Sequence, residues 1–394
     1  MKRTLLTALL LILMVPCLNA QRKTIGQART YIKSGADYDK AEKLMTGLLA
    51  DSANAANIKV RMVLADAVRK QFEQENEKLY AGKDYDTTAL FTHTRRLIMA
   101  YEGLDSIDAR PVNGKSKPKH RKHNAEYAAP LRRNLFNGGI YFIRKHQFDM
   151  AITFMESYID CNRQPLFTGQ APDGKEHDAA FWALFCGYML HNTAVVMHYA
   201  DSAMLDTAHL ERTYCYLAEI YHHNGDTAQC ATMLRKGFDR YPQSEYFYTR
   251  LIDYYYDRGD IHSVASVIDR ALAASPDDEL LLFAKSTLLL NTGDYGGCIS
   301  ICDSLIKRND TLADAYYNAG VAYINKAFRT ERDSATSRKA LAQAKEYYRK
   351  ALPYMEQFRT LRPQEKDKWA AALYNIYLRL NMGPQFEEID RMLR

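Results

Sequence analysis

The residues able to do chemistry are scattered along this chain. His222 and His223 are adjacent, and His120 and His123 lie three apart. Neighbours on a helix diverge by about 100°, so His222 and His223 would not share one ion easily. His120 and His123 stand in a basic stretch with no acidic or cysteine partner. Asp253 and Asp257 are spaced by one helical turn, as carboxylates are on any charged helix face. Cys230, Cys298 and Cys302 fall at helix-packing positions, where cysteine acts as a small apolar residue. Cys298 and Cys302 share a helix with side chains projecting side by side, which suits a disulfide poorly. There is no HExxH, no GxSxG, no phosphate-binding glycine loop and no paired CxxC. No catalytic, cofactor or metal site is therefore expected.

Arg110 to His123 is the main break in the chain. It holds Pro111, Gly114 and Pro118 with Lys115, Lys117, Lys119, Arg121 and Lys122, and no acidic residue. That is loop composition. It reads as a solvated surface loop or as a patch attracting phosphates or acidic proteins. No aromatic residue interleaves the cations, so nucleic acid is not an expected partner. The chain has 394 residues, 47% of them hydrophobic, and is too apolar for a disordered chain. Its net charge of +6 falls to +4 once Lys2 and Arg3 are set aside, which is only mildly basic.

The N-terminus reads as an export signal over residues 1–20. Lys2 and Arg3 form its charged part, Leu5 to Val15 its apolar part, and Leu18-Asn19-Ala20 a cleavage site. The apolar run is short for a membrane span. Cys17 would suit a lipid anchor, but Pro16 stands where such signals take a small residue. The expectation is a periplasmic or secreted protein beginning at Gln21, without a transmembrane segment. Export permits disulfides among Cys161, Cys186, Cys215, Cys230, Cys298 and Cys302.

Glu211 to Asp310 supplies the organisation. Gly225, Gly259 and Gly293 lie 34 residues apart, each followed by aspartate; Pro242 and Pro276 keep the same spacing. Glycine suits the left-handed position past a helix end. The aspartate can cap the next helix, and the proline closes the unit. A 34-residue helix–turn–helix period resembles the tetratricopeptide repeat family. The small residue of helix A falls on Ala218, Ile252 and Ser286, and the following aromatic on Tyr221, Tyr255 and, less well, Leu289. The small residue of helix B falls on Cys230, Val264 and Cys298, and the late alanine on Gly237, Ala271 and Leu305. Ile252 and Leu305 are larger than the pattern prefers.

The resemblance extends over the rest of the chain more loosely. Residues 21–108 read as degenerate repeat-like helices around Ala28, Tyr31, Gly35 and Ala41, then two long helices. Residues 109–125 are the basic loop, 126–208 irregular repeats and 209–310 the three regular ones. Residues 311–394 hold an expanded repeat, lengthened by twelve residues around Thr330 to Ser337, and terminal capping helices. The expected fold is all-α. The resemblance implies a right-handed superhelical solenoid whose helices A line an inner groove.

By the same resemblance that groove holds Arg212, Cys215, Glu219 and His222; Tyr246, Thr249, Asp253 and Tyr256; Leu280, Phe283, Thr287 and Leu290; and Asp314, Tyr317, Val321 and Ile324. Arg212, Glu219, His222, Tyr246, Asp253, Tyr256, Phe283 and Tyr317 are the candidate partner contacts. Alternatively, the aromatic residues pack between helices. The groove is partly acidic near Glu219 and Asp253 and apolar near Phe283, Leu290 and Ile324. It would suit a peptide with basic and apolar ends. Subclasses that clamp a terminal carboxylate carry lysine and asparagine where this chain has Cys215, Glu219, Thr249 and Asp253. The resemblance implies an exported bacterial, non-catalytic scaffold that binds a protein or peptide, with self-association open. The alternative is a glycan- or nutrient-binding accessory protein whose tyrosines stack on sugars. Intact-mass measurement on protein from its native cell should find Gln21 as the first residue. A chain starting at Met1, or lipidated at Cys17, would refute the export reading as stated.

Overall fold

The computed structural model describes residues 20–111, 113–169, 174–333 and 337–393. The leader up to residue 19, Cys17 within it, Pro172 and residues 334–336 lie outside the described residues. Among the described residues the chain is all-α, with no strand. No described helix is long and apolar enough to cross a membrane. The chain divides into two compact units, one ending at Asn224 and the other beginning at Gly225.

The first unit opens with α1 (20–34) and α2 (Tyr38–Ala50), joined at Gly35, whose φ is 78°. Ala28, Ala41 and Met45 are buried between them and α3 (Ile58–Tyr80). Helix α4 (Thr87–Asp108) follows a turn through Gly82 and is capped by Asp86, whose carboxylate accepts from the Ala89 N–H at 3.0 Å. After α5 (Arg121–Ala128) come α6 (Arg132–Arg144) and α7 (Phe148–Cys161), which bury Leu135, Phe142, Phe154 and Tyr158. Helices α8 (Glu176–Met189), α9 (Thr193–Ala203) and α10 (Leu210–His223) complete the unit.

The second unit contains α11 (Thr227–Arg240), α12 (Glu245–Tyr256), α13 (Ile261–Ala274), α14 (Glu279–Thr292) and α15 (Tyr295–Arg308). Its turns have the chemistry that the 34-residue spacing predicts. Gly225, Gly259 and Gly293 have φ of 75°, 68° and 86°. Asp226, Asp260 and Asp294 then accept from the N–H groups of Gln229, Ser263 and Gly297, each at 3.0 Å. The late-alanine slot holds glycine at Gly237 because the fully buried Phe247 ring occupies the space a Cβ would need.

The expanded repeat is a longer hairpin than the regular ones. The extra residues lengthen both helices, giving α16 (Ala313–Asp333) and α17 (Arg338–Leu361). Those helices pack with α18 (Lys366–Leu380) around Tyr348, Met355, Phe358, Trp369 and Leu373. The final helix is α19 (Gly383–Leu393). Pro384 is tolerated in its first turn, where a missing N–H forfeits no helical bond.

The basic loop also ends earlier than its composition suggests. Arg121, Lys122 and His123 open α5. The Arg121 guanidinium donates to both carboxylate oxygens of Asp105 at 2.8 Å, and the His120 N–H donates to Asp108 at 2.7 Å. These partners lie on α4, outside the stretch whose composition defined the loop. Asp105 is buried, so removing its cation strands a charge away from water. Arg121→Met should therefore cost about 3 kcal/mol in urea unfolding, and a loss under about 0.5 kcal/mol, the range of an ordinary surface change, would contradict this account.

Candidate functional site

Helices α12 and α14 are the first helices of successive repeats, and a cavity of about 370 Å³ opens between them against α13. Its floor is apolar, from Ile252, Val264, Ile268 and Leu288. Tyr256 and Leu280 stand at its edge, 58% and 46% exposed. Three of its hydroxyls are already engaged. Thr249 donates to the Glu245 carbonyl at 2.6 Å, and Tyr248 donates to Asp278 at 3.1 Å. Thr287 accepts from the Asn318 amide at 3.0 Å. Asp253, on the exposed surface of α12, supplies a carboxylate to the cavity wall. The arrangement suits a bulky apolar group with a cation beside it.

The structure thus brings Asp253, Tyr256 and Phe283 to one cavity. It places Tyr246 and Tyr317 elsewhere. Tyr246 is half-buried, with the Arg250 guanidinium 3.7 Å from its ring centroid. Tyr317 packs on Phe358 with centroids 5.0 Å apart, and Lys368 lies over its ring at 5.7 Å. Ile324, expected to line the groove, is 7% exposed and belongs to the core around α17. In the first unit, Arg212 and His222 are exposed on α10. Glu219 is half-buried and accepts from the Tyr188 hydroxyl, a bond that with burial pushes that phenol up to about 12.

Two clusters of titratable groups escaped the sequence reading. Asp178, Asp206 and His209 place one donor atom each within 4.8 Å of one another. His209 bonds Asp206 at 2.6 Å and stacks on Phe181 with centroids 4.2 Å apart. Burial and the neighbouring Asp206 raise the Asp178 carboxyl. The Asp206–His209 spacing of three is visible in the sequence; the approach of Asp178 from α8 is tertiary. The second cluster joins α4 to α7, where the Cys161 thiol donates to the Glu102 carboxylate at 3.6 Å. Burial first, and then Glu102, push that thiol well above its usual range, which makes it a poor nucleophile. Cys161, Cys186, Cys230, Cys298 and Cys302 are thiols rather than disulfide halves.

Helix–turn–helix hairpins of 34 residues, turned by Gly-Asp pairs and packed in chain order, have the tetratricopeptide-repeat fold. Solved structures similar to this chain include the C-terminal part of a TPR repeat-containing protein from Cytophaga hutchinsonii, at 12% identity and a TM-score of 0.41, over 64% of this chain and 92% of that one. Yeast Tom70 is similar at 12% identity and a TM-score of 0.29, over 88% of this chain and 89% of that one. A chain of the APC/C hetero-tetramer Cut9-Hcn1 is similar at 12% identity and a TM-score of 0.30, over 94% of this chain and 79% of that one. No family model matches the sequence. No curated protein matches it either.

Burial raises the Glu102 carboxyl from 4.5 to about 7. A carboxyl kept protonated by folding stabilises the native state at low pH, and that contribution is lost as pH rises through about 4.5 to 7. His93 acts oppositely: burial and Arg96 lower it from 6.5 to about 4, so its contribution is lost as pH falls through that window. Glu102→Gln isolates the first effect. Relative to the parent, the variant should gain roughly 2–3 kcal/mol of unfolding free energy between pH 4 and pH 8. A pH-independent difference would show that Glu102 ionises normally.

Proposed function

We propose that this chain is an exported, non-catalytic scaffold that binds a segment of another protein through the exposed faces of its first-of-pair helices. The observation that carries the proposal is the apolar cavity between α12 and α14, with Asp253 in its wall and Tyr256 and Phe283 beside it. An open apolar cavity with one unscreened carboxylate favours a segment that offers a large apolar side chain next to lysine or arginine. Tyrosine suits such a surface because its ring buries area while its hydroxyl stays wet. Tyr246 and Tyr317, half-buried outside the cavity, would serve as further contacts along the first-of-pair helices. Arg212, Glu219 and His222 would serve as a separate contact face on α10. Export rests on the Lys2-Arg3 pair, the apolar run and the Leu18-Asn19-Ala20 sequence.

The test is selection of a random peptide library on the purified protein, with binding of the enriched peptides measured by fluorescence anisotropy. Enriched sequences should place a large apolar residue beside lysine or arginine. Tyr256→Ala and Phe283→Ala should each weaken binding by about tenfold, and Asp253→Lys should remove the preference for basic peptides. Enrichment of acidic peptides, or equal binding by all three variants, would sink the proposal, as would exclusive retention of glycans in a parallel glycan screen.

A further inference from the structure

Asp178, Asp206 and His209 converge in the first unit, far along the chain from the cavity on α12 and α14. Asp178 stands in the first turn of α8, and Asp206 and His209 in the turn that leads into α10. The His209 Nδ1 lies 2.6 Å from Asp206 Oδ2 and 3.9 Å from Asp178 Oδ1. One donor atom from each of the three residues falls within 4.8 Å of the other two. A tetrahedral ion with bonds of about 2.0–2.2 Å holds its ligand atoms roughly 3.3–3.6 Å apart. The two separations at His209 bracket that spacing, so small side-chain movements would admit an ion. The ion would exchange the His209–Asp206 hydrogen bond for two metal bonds, with the ring proton carried on Nε2.

A second observation concerns Asp178 alone. Its Oδ1, the oxygen facing His209, is shut off from water and has no hydrogen-bond partner. Buried polar atoms are nearly always satisfied, so an acceptor left in this state marks a place where a cation or donor belongs. Among the described residues, neither Asp178 nor Asp206 pairs with lysine or arginine. The nearby Lys175 ammonium lies over the Phe136 ring, 4.6 Å from its centroid. Two carboxylates therefore share one imidazole. The supports around them are already in place. Asp206 Oδ1 accepts from the Ala208 N–H at 3.1 Å, which leaves Oδ2 turned to His209. The His209 ring stacks on Phe181 at 4.2 Å and meets Trp182 edge-on at 5.5 Å. Contacts of this kind orient metal ligands. The Asp178 and His209 side chains keep 28% and 26% of their surface exposed, which gives an ion a way in.

We propose that Asp178, Asp206 and His209 bind one divalent transition-metal ion, zinc by preference, through two carboxylate oxygens and the His209 Nδ1, with water completing the shell. An imidazole beside two carboxylates suits zinc, whereas calcium and magnesium take shells of oxygen. The ion would tie the start of α8 to the start of α10.

The test is titration of the purified, tag-free chain with Zn²⁺ against a chromophoric chelator, with Mg²⁺ and Ca²⁺ as controls. Zinc should bind one-to-one, at least tenfold tighter than either control. Asp178→Asn and His209→Gln should each weaken zinc at least tenfold, with folding checked by circular dichroism. The double variant His222→Ala, His223→Ala should bind as the parent does. Should the site variants fail to fold, the parent still decides: crystals grown with zinc should show an anomalous peak between the three side chains. No stoichiometric zinc, zinc binding unchanged by Asp178→Asn or His209→Gln, loss of zinc in the His222, His223 variant, or an anomalous peak only elsewhere would each overturn the proposal.

Discussion

A helix hairpin cannot bury its own apolar face, and that constraint governs this molecule. Each pair needs the next pair as its cover. The turn within each pair therefore has to deliver the second helix at a fixed angle. Glycine at positive φ reverses the chain without steric cost. Aspartate then takes up a backbone N–H that the new helix leaves unpaired. Asp226, Asp260 and Asp294 do this with the same geometry at each repeat. Once those turns are set, the small and aromatic positions of successive helices come into register without further instruction.

The quality of the cover varies along the second unit. Around α16, α17 and α18 it is dense, with Tyr348, Met355 and Phe358 fully buried. Between α14 and α16 the Asn318 amide donates to both Ser286 and Thr287, fixing the pair through a buried polar link. Beside α12 the buried cluster is small, made of Val264, Ile268 and Leu288. Ile252 stands there in the slot that Ala218 and Ser286 fill elsewhere, and it remains half-buried in the cavity's floor. The candidate binding surface is thus a consequence of imperfect closure in a repeat whose turns are regular.

Several residues acquire their meaning from partners far away in sequence. Arg121 has no acidic neighbour in its own stretch, yet it is the anchor that ties α5 to α4 through Asp105. Its stretch reads as a loop by composition because the countercharge is on another helix. The carboxylate of Asp178 meets Asp206 and His209 across the fold of α8 through α10, beyond any local spacing rule. Tyr317 has a distant partner as well. Its repeat position implies a groove contact, but its ring is taken up by Phe358 because the lengthened α17 brings that residue over it.

The helices, the 34-residue period and the turns could be read from the chain alone, because those depend on interactions between residues a few positions apart. Glycine at a helix end and aspartate at the next start act locally, so Gly259 and Asp260 could be read without coordinates. The chain alone also placed Asp253, Tyr256 and Phe283 on related faces, since repeat position fixes side-chain direction along a helix. Which of those faces stayed open was settled by packing. Openness depends on how closely neighbouring hairpins approach, and that follows from side-chain volumes summed over several helices. The same holds for the Asp178 oxygen that lacks a hydrogen bond: whether a polar atom finds a partner is a property of everything packed around it.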